Sequence, residues 1–282
     1  MDMQLKQDFL KKWGKYFAKA ELPFACYYTD HVQDADIQPP AKGRSCIICE
    51  LARVRNGVNL AYGKESIACS GARRYLGYSE KLYHMAIEKA GGKPIIVINT
   101  HYHGDHVQGN HFFKGSKIYM GSYDKTFLAR NVDPADMPTN FVTDSLILVL
   151  GDEVLKLRNY GQAHTWDDMV VYLVNRKILF AGDLVQNQTN PFLIKESGAD
   201  VDKWIKTLNC MRCHYKPVVL VPGHGNLGDS TLMRVMQQYF KDMKEAAANP
   251  AKEKELVEKY KDWHGMRSMA SPEKTIEYIR QK

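Results

Sequence analysis

One segment of the chain, an apolar run followed directly by a histidine-rich turn, constrains the fold more than any other feature. Residues 94–99 carry no charge and predict a strand that is buried on both faces. His101 and His103 follow two positions apart, so in an extended backbone both side chains project to the same side. Gly104 then lets the chain turn into a helix, which presents Asp105 and His106 from the same short loop. This spacing predicts two sets of ligands for two adjacent metal ions.

Three further potential ligands each follow a predicted strand and lie in a turn that contains glycine. His164 lies in the segment Gly-Gln-Ala-His-Thr, Asp183 follows Gly182 at the end of a predicted strand, and His224 lies in Pro-Gly-His-Gly. Each is a weak indication alone, but together they describe a site along one edge of a sheet. Imidazole and carboxylate donors suit zinc, with iron and manganese as alternatives.

From Ser79 onward, predicted strands and helices alternate. Strands are expected at 94–99, 117–120, 145–149, 153–158, 169–174, 177–181 and 217–221, and helices at 80–90, 122–130, 202–213, 229–247 and 251–263. This alternation predicts an α/β fold in which sheets and helices are layered. We place a domain boundary near Gly77, between an N-terminal region, 1–77, and a metal-binding domain, 78–282.

The motifs resemble those of the metallo-β-lactamase superfamily and, within it, the glyoxalase-II-like hydrolases. The match runs from about residue 78 to about residue 228, and its four segments are Thr-His-x-His-x-Asp-His, Gly-x-Ala-His-Thr, Phe-Ala-Gly-Asp and Pro-Gly-His-Gly. The resemblance implies the αβ/βα sandwich of that superfamily. Asp183 and His106 favour the glyoxalase-II-like enzymes, because the commonest true β-lactamases typically carry Cys and Arg at these positions.

The resemblance also implies a role for each ligand. One metal ion would be held by His101, His103 and His164, and a second by Asp105, His106 and His224, with Asp183 bridging the two. Two cations about 3.5–4 Å apart can share a water and hold it as hydroxide at neutral pH. We therefore expect two Zn²⁺ per chain and attack of the bridging hydroxide on the carbonyl of a small ester, thioester, lactone or lactam. Asp105 and His106 are the expected catalytic residues, with Asp105 orienting the nucleophile.

Other functions are compatible with the same ligands. One is a metal-dependent phosphodiesterase or nuclease of the superfamily, and another is an iron-bound persulfide-type oxygenase with a single metal. A third is a non-catalytic binding protein with a degenerate hydrolase half. The net charge of 39 − 32 = +7 is spread along the chain rather than concentrated in a basic stripe, which disfavours a nucleic-acid partner.

The N-terminal region, 1–77, departs from the superfamily's pattern. Members normally have several strands and an Asp-x-Gly turn before the histidine motif, and the sequence has no Asp-x-Gly before residue 105. Segments that include Trp13, Cys46-x-x-Cys49 and Cys69 instead resemble the N-terminal part of the family called domain of unknown function 169. We therefore expect an atypical region in place of the usual first strands. The cysteines suit either a metal site or packing as free thiols.

The remaining expectations concern location and partners. The first eight residues include two aspartates, where a secretory signal would place bases, so a cytoplasmic protein with reduced thiols is expected. No apolar run approaches the roughly 18 residues that span a bilayer, so no membrane partner is expected. The expected partner is a small-molecule substrate, and the sequence is compatible with a homo-oligomer.

Overall fold

The protein is represented by a computed structural model that describes residues 37–38, 59–60, 76–265 and 269–281. The chain divides into two compact units, Met1–Arg74 and Tyr75–Lys282. In the first unit, strands β1 (Ile37–Gln38) and β2 (Asn59–Leu60) pair in parallel. Cys46, Cys49 and Cys69 lie outside the described residues. The assignment of 1–77 and 78–282 to separate domains stays a prediction.

The second unit is built from alternating strands and helices. Its strands are β3 (Ile96–Ile98), β4 (Lys117–Gly121), β5 (Asn140–Val142), β6 (Ser145–Leu150), β7 (Glu153–Gly161), β8 (Asp168–Leu173), β9 (Ile178–Gln186) and β10 (Val219–His224). Its helices are α1 (Leu76–Ala90), α2 (Gly104–Val107), α3 (Lys125–Asn131), α4 (Val201–His214), α5 (Thr231–Ala248), α6 (Pro250–Lys259) and α7 (Pro272–Arg280).

These strands form two sheets. One has the order β3-β4-β5 with parallel pairing throughout. The other has the order β10-β9-β8-β7-β6, in which β9 and β10 are parallel and the other neighbours are antiparallel. The predicted strands correspond to observed ones, but β5 and α7 were not predicted, and the last predicted helix ends at Lys259 rather than at residue 263.

A buried apolar layer joins the two sheets. Leu157 from β7 and Met169 and Val171 from β8 pack in one cluster with Tyr119 from β4. Val170, between two members of that cluster, belongs instead to a different cluster. This alternation follows from the strand period of two, which directs successive side chains to opposite faces of a sheet. The residues of β8 therefore contact the other sheet on one face and helices on the other.

Helices cover the outer face of each sheet. Trp204 from α4 and Phe240 from α5 are fully buried in the cluster that contains Val170. On the other side, Met120 from β4 packs with Leu128 from α3. The order of layers is helices, sheet, sheet, helices, so the predicted αβ/βα sandwich is confirmed. Among the described residues, the helices lack the combination of length and apolar character that crossing a membrane requires.

A buried carboxylate connects two of the C-terminal helices. Asp242 on α5 accepts hydrogen bonds from Lys259 Nζ at 2.6 Å, Tyr260 Oη at 2.6 Å and Gln238 Nε2 at 2.7 Å. Burial opposes the charge, but these three donors outweigh it and hold the pKa of Asp242 below its ordinary value. The charged carboxylate therefore stabilises the fold at pH values above the pKa of an unfolded aspartate, and this stabilisation is lost as the pH falls through the lower folded pKa.

Asp242→Asn is therefore expected to lower the free energy of unfolding at pH 7 by about 1–3 kcal/mol, because it weakens charge-assisted hydrogen bonds to a buried group. The difference from wild type should shrink as the pH is lowered towards 3, where the wild-type carboxylate also becomes neutral. Urea unfolding at several pH values measures both effects. Glu258→Gln, in an exposed pair with Lys261, is the matched control and should change stability little. A pH-independent difference for Asp242→Asn would contradict the assigned cause.

Candidate metal centre

The ligand-rich loop starts where β3 ends and continues into α2. Asn99 is buried and donates its side-chain N–H to the backbone carbonyl of His106 at 2.8 Å. Its amide also exchanges hydrogen bonds with the amide of Asn110, at 3.1 and 2.9 Å. These bonds connect the residue before the loop to residues at its far end. The loop backbone that carries the candidate ligands is therefore held closed by buried amide groups.

Three imidazoles, which we call the histidine set, converge at the inner side of the site. They are His101, His103 and His164. His103 Nδ1 lies 3.1 Å from His101 Nε2 and 3.1 Å from His164 Nε2. Two nitrogens on one tetrahedral zinc, each about 2.05 Å from the metal, would lie about 3.3 Å apart. The spacing of these nitrogens is thus close to that of ligands sharing one ion.

A second group, which we call the mixed set, faces the outside. It consists of Asp105, His106 and His224. Asp105 Oδ2 lies 3.3 Å from His224 Nε2 and 3.5 Å from His106 Nε2. The side chains of Asp105 and His224 are 27% and 37% exposed, whereas that of His164 is 1% exposed. Solvent and small molecules therefore reach the site from the side of the mixed set.

Asp183 lies between the two sets. Its Oδ2 is 3.3 Å from His164 Nε2 and 3.3 Å from His224 Nε2, and its Oδ1 is 3.2 Å from His106 Nε2. One carboxylate thus contacts members of both sets. The sequence prediction placed Asp183 after the end of its strand, but β9 continues to Gln186. The register between β9 and β10 shifts around Pro222, which pairs with Gly182, the residue before Asp183.

Burial controls the protonation of the histidine set. It lowers the pKa of His101 and of His103, and it lowers the pKa of His164 to about 3. These imidazoles are consequently neutral near pH 7. Neutral imidazole is the form that binds a metal ion, so the histidine set is in the correct state to act as a ligand group.

Carboxylates control the protonation of the mixed set. Hydrogen bonds to Asp105 and Asp183 raise the pKa of His224 to about 10. Burial opposes the charge on His106, but Asp183 and Asp105 raise its pKa to about 9. The same imidazoles hold the pKa values of both carboxylates well below their usual range, despite burial. Both aspartates therefore carry the negative charge that a divalent cation would neutralise.

The donors fit a divalent metal better than they fit one another. Asp183 Oδ1 is buried, and its 3.2 Å contact with His106 Nε2 lacks the geometry of a hydrogen bond. Leaving such an acceptor unsatisfied costs about 1–3 kcal/mol. In the histidine set, three imidazoles with lowered pKa values also meet, with His103 Nδ1 3.1 Å from the Nε2 atom of each of the other two. Imidazole nitrogen and carboxylate oxygen are donors that zinc accepts, so the residues present suit that ion.

The structure brings together all seven residues that the sequence singled out. It also adds supporting residues that sequence reasoning missed. Asp168, fully buried, accepts backbone N–H bonds from His164 at 2.6 Å and Thr165 at 2.8 Å, which fixes the turn that carries His164. Gln186 donates to Asp183 Oδ2 at 3.2 Å. Asp168 follows the Gly-Gln-Ala-His-Thr segment closely, but nothing in the sequence distinguishes Gln186 from an ordinary strand residue.

A steric requirement explains why glycine stands at position 223 in the Pro-Gly-His-Gly segment. A Cβ atom at this position would lie 1.9 Å from Asp183 Oδ1, so only glycine lets β10 approach the carboxylate. The glycine therefore belongs to the site although it carries no donor. His111, which directly follows the ligand loop, pairs with Asp136 at 2.7 Å and is not part of either set.

Comparison with known proteins identifies the family. The family description "Metallo-beta-lactamase superfamily" matches residues 75–224, which is 150 of the 282 residues and includes all seven candidate ligands. The chain belongs to the metallo-beta-lactamase superfamily. Membership of this superfamily, together with the donor groups of the site, makes the chain a metal-dependent hydrolase.

Individual members of the superfamily are similar over most of this region. "Metallo-beta-lactamase type 2" of Bacteroides fragilis is 26% identical over 173 residues, covering 61% of this chain and 70% of the relative. "Metallo-beta-lactamase IND-1" of Chryseobacterium indologenes is 27% identical over 225 residues, covering 76% and 92%. The solved structure of a metallo-beta-lactamase from Pontibacter korlensis superposes with a TM-score of 0.51 at 26% identity, covering 57% of this chain and 76% of that one.

Proposed function

We propose that the chain is a binuclear zinc hydrolase acting on a small ester, thioester, lactone or lactam. In this proposal the histidine set holds one zinc ion, the mixed set holds the other, and Asp183 bridges them. The observation that carries the proposal is the position of the Asp183 carboxylate, within 3.3 Å of His164 in one set and of His224 in the other. A carboxylate with two oxygens can serve two cations at once.

Zinc ions bound by the two sets would polarise a substrate carbonyl and acidify a water. The residues themselves supply orientation. Asp105 lies on the open side, where its carboxylate would orient the attacking water. Its Oδ2 lies 3.5 and 3.3 Å from Nε2 of His106 and His224, so these three donors could share the second zinc ion. His101 and His164, each 1% exposed, keep solvent away from the inner side of the site.

Two residues support assignment to the glyoxalase-II-like group. Asp183 supplies an oxygen ligand and His106 a nitrogen ligand, where the commonest β-lactamases of the superfamily typically have Cys and Arg. An oxygen donor at position 183 and a nitrogen donor at position 106 favour a complete second metal site, because an arginine at position 106 would not bind a cation. The curated relatives are named as β-lactamases, so the substrates to test include a β-lactam beside thioesters, lactones and simple esters.

The experiment is elemental analysis of the full chain, purified without chelator and without an affinity metal, followed by hydrolysis assays. We expect close to two zinc ions per chain and hydrolysis of at least one substrate in the panel, with activity lost on chelation and restored by added zinc. One iron per chain would contradict the binuclear zinc proposal and favour the single-metal oxygenase. Absence of bound metal after zinc has been offered would contradict any catalytic metal centre.

A further inference from the structure

The side-chain hydroxyl of Thr100 lies between one imidazole of each set. Thr100 Oγ1 is 3.2 Å from Nδ1 of His101, which belongs to the histidine set. The same oxygen is 3.3 Å from Nδ1 of His106, which belongs to the mixed set. A single hydroxyl therefore contacts both groups of candidate ligands from the side opposite to the ions they would hold.

The opposite nitrogen of each imidazole faces the candidate ions. His101 Nε2 contacts His103 Nδ1 at 3.1 Å, and His106 Nε2 contacts Asp183 Oδ1 at 3.2 Å. An imidazole that binds a metal through Nε2 in its neutral form carries its proton on Nδ1, and that proton needs an acceptor. A hydroxyl oxygen has two lone pairs, so Thr100 Oγ1 can accept from both Nδ1–H groups.

Packing fixes the position of this hydroxyl. The backbone carbonyl of Thr100 accepts a hydrogen bond from Met169 N in β8, at 2.8 Å. The side chain lies against Gly182 of β9, where an added Cβ would be 2.6 Å from both Cβ and Oγ1 of Thr100. Gly182 also has a positive φ of 52°, which favours glycine. Thr100 is thus held by both β8 and β9, directly beside Asp183.

We propose that Thr100 is a positioning residue that selects the metal-binding tautomer of His101 and of His106, and so supports both metal positions with one hydroxyl. The proposal rests on the binuclear site of the proposed function. Losing a hydrogen-bond partner of a metal-bound imidazole typically lowers metal affinity about 10- to 100-fold. A single substitution at Thr100 should therefore weaken both positions, although Thr100 binds neither ion.

The test compares Thr100→Val, which has nearly the same shape but no hydroxyl, with Thr100→Ser, which keeps it. Zinc affinity of the full chain is measured by competition with a chromophoric chelator, and the geometry of the ligands by the visible spectrum after loading with Co²⁺. We expect Thr100→Val to lose about 10- to 100-fold in affinity at both positions and to change the Co²⁺ spectrum. Thr100→Ser should retain wild-type affinity and spectrum, and the metal-free melting temperatures of all three chains should agree.

The outcomes separate this proposal from the proposed function. If wild type binds two zinc ions and Thr100→Val binds both as tightly, or loses only one, the Thr100 proposal alone is overturned. Equal losses for Thr100→Val and Thr100→Ser would also overturn it, because the effect would then follow the side-chain packing and not the hydroxyl. If wild type binds fewer than two ions, the proposed function fails and this proposal fails with it.

Discussion

Replacing His103 with alanine is expected to remove zinc and hydrolytic activity together. His103 Nδ1 is the nitrogen that the other two members of the histidine set share as a neighbour, at 3.1 Å from each. Without it, two imidazoles remain, and a tetrahedral zinc loses one of its protein ligands. The loss in affinity should exceed the about 10- to 100-fold that is typical for residues which only support a ligand. Zinc content and hydrolysis rate of the purified variant provide the measurement.

His84→Ala is the matched control, because His84 is an exposed imidazole on α1 outside both sets. It should keep full zinc content and the wild-type rate. Circular dichroism and the metal-free melting temperature of both variants establish that each remains folded. A His103→Ala chain that keeps full activity with full zinc would contradict the assignment of this ligand. Loss of activity with full zinc retained would give His103 a different role.

The sequence was sufficient to select the candidate ligands because each follows a predicted strand, in a segment that contains glycine. Residues 94–98 are apolar and β3 does form within them, but the prediction that this strand is buried on both faces is wrong, because each of its residues is only partly buried. The histidines that follow nevertheless lie directly after a strand. Glycine marks the turns around Asp183 and His224 for a steric reason that the structure makes explicit at Gly223. Local chemistry was therefore enough to find the donors.

The pairing of elements far apart in sequence was not predictable in the same way. The distance between Asp183 and His224 depends on the register of β9 against β10, including the shift near Pro222, and no local pattern encodes that register. Gln186 contacts Asp183 only because β9 extends beyond the predicted end. β5 was missed because its three residues are too short to show periodicity.

The arrangement of the layers of the sandwich could likewise be predicted only in part from the local sequence. The continuous apolar run in β8 indicates that both faces of the strand are buried, but it does not say which face meets helices. Val170 and Val171 are chemically identical, yet one packs with α4 and α5 and the other with the three-stranded sheet. That choice is made by the global arrangement of sheets, which the family resemblance supplied and the local pattern did not.

Asp183→Asn is expected to weaken both metal positions, because the carboxylate contacts His164 on one side and His106 and His224 on the other. Asparagine has the same shape but one oxygen acceptor and no charge, so it cannot serve two cations. We expect at least an about tenfold loss of zinc affinity at each position, and chelator competition measures the two losses separately. The hydrolysis rate should fall in parallel at zinc concentrations that saturate the wild type.

Asp202→Asn, at an exposed position of α4 that pairs with Lys244, makes the same chemical change away from the site and should leave both affinities unchanged. The pattern of loss is the informative result, because each arrangement of Asp183 predicts a different one. A bridging carboxylate requires that both affinities fall, since one side chain contributes to both ions. Loss at the histidine set alone or at the mixed set alone would assign Asp183 to one ion. The two zinc positions would then be independent, and the shared carboxylate could not be the feature that holds them side by side.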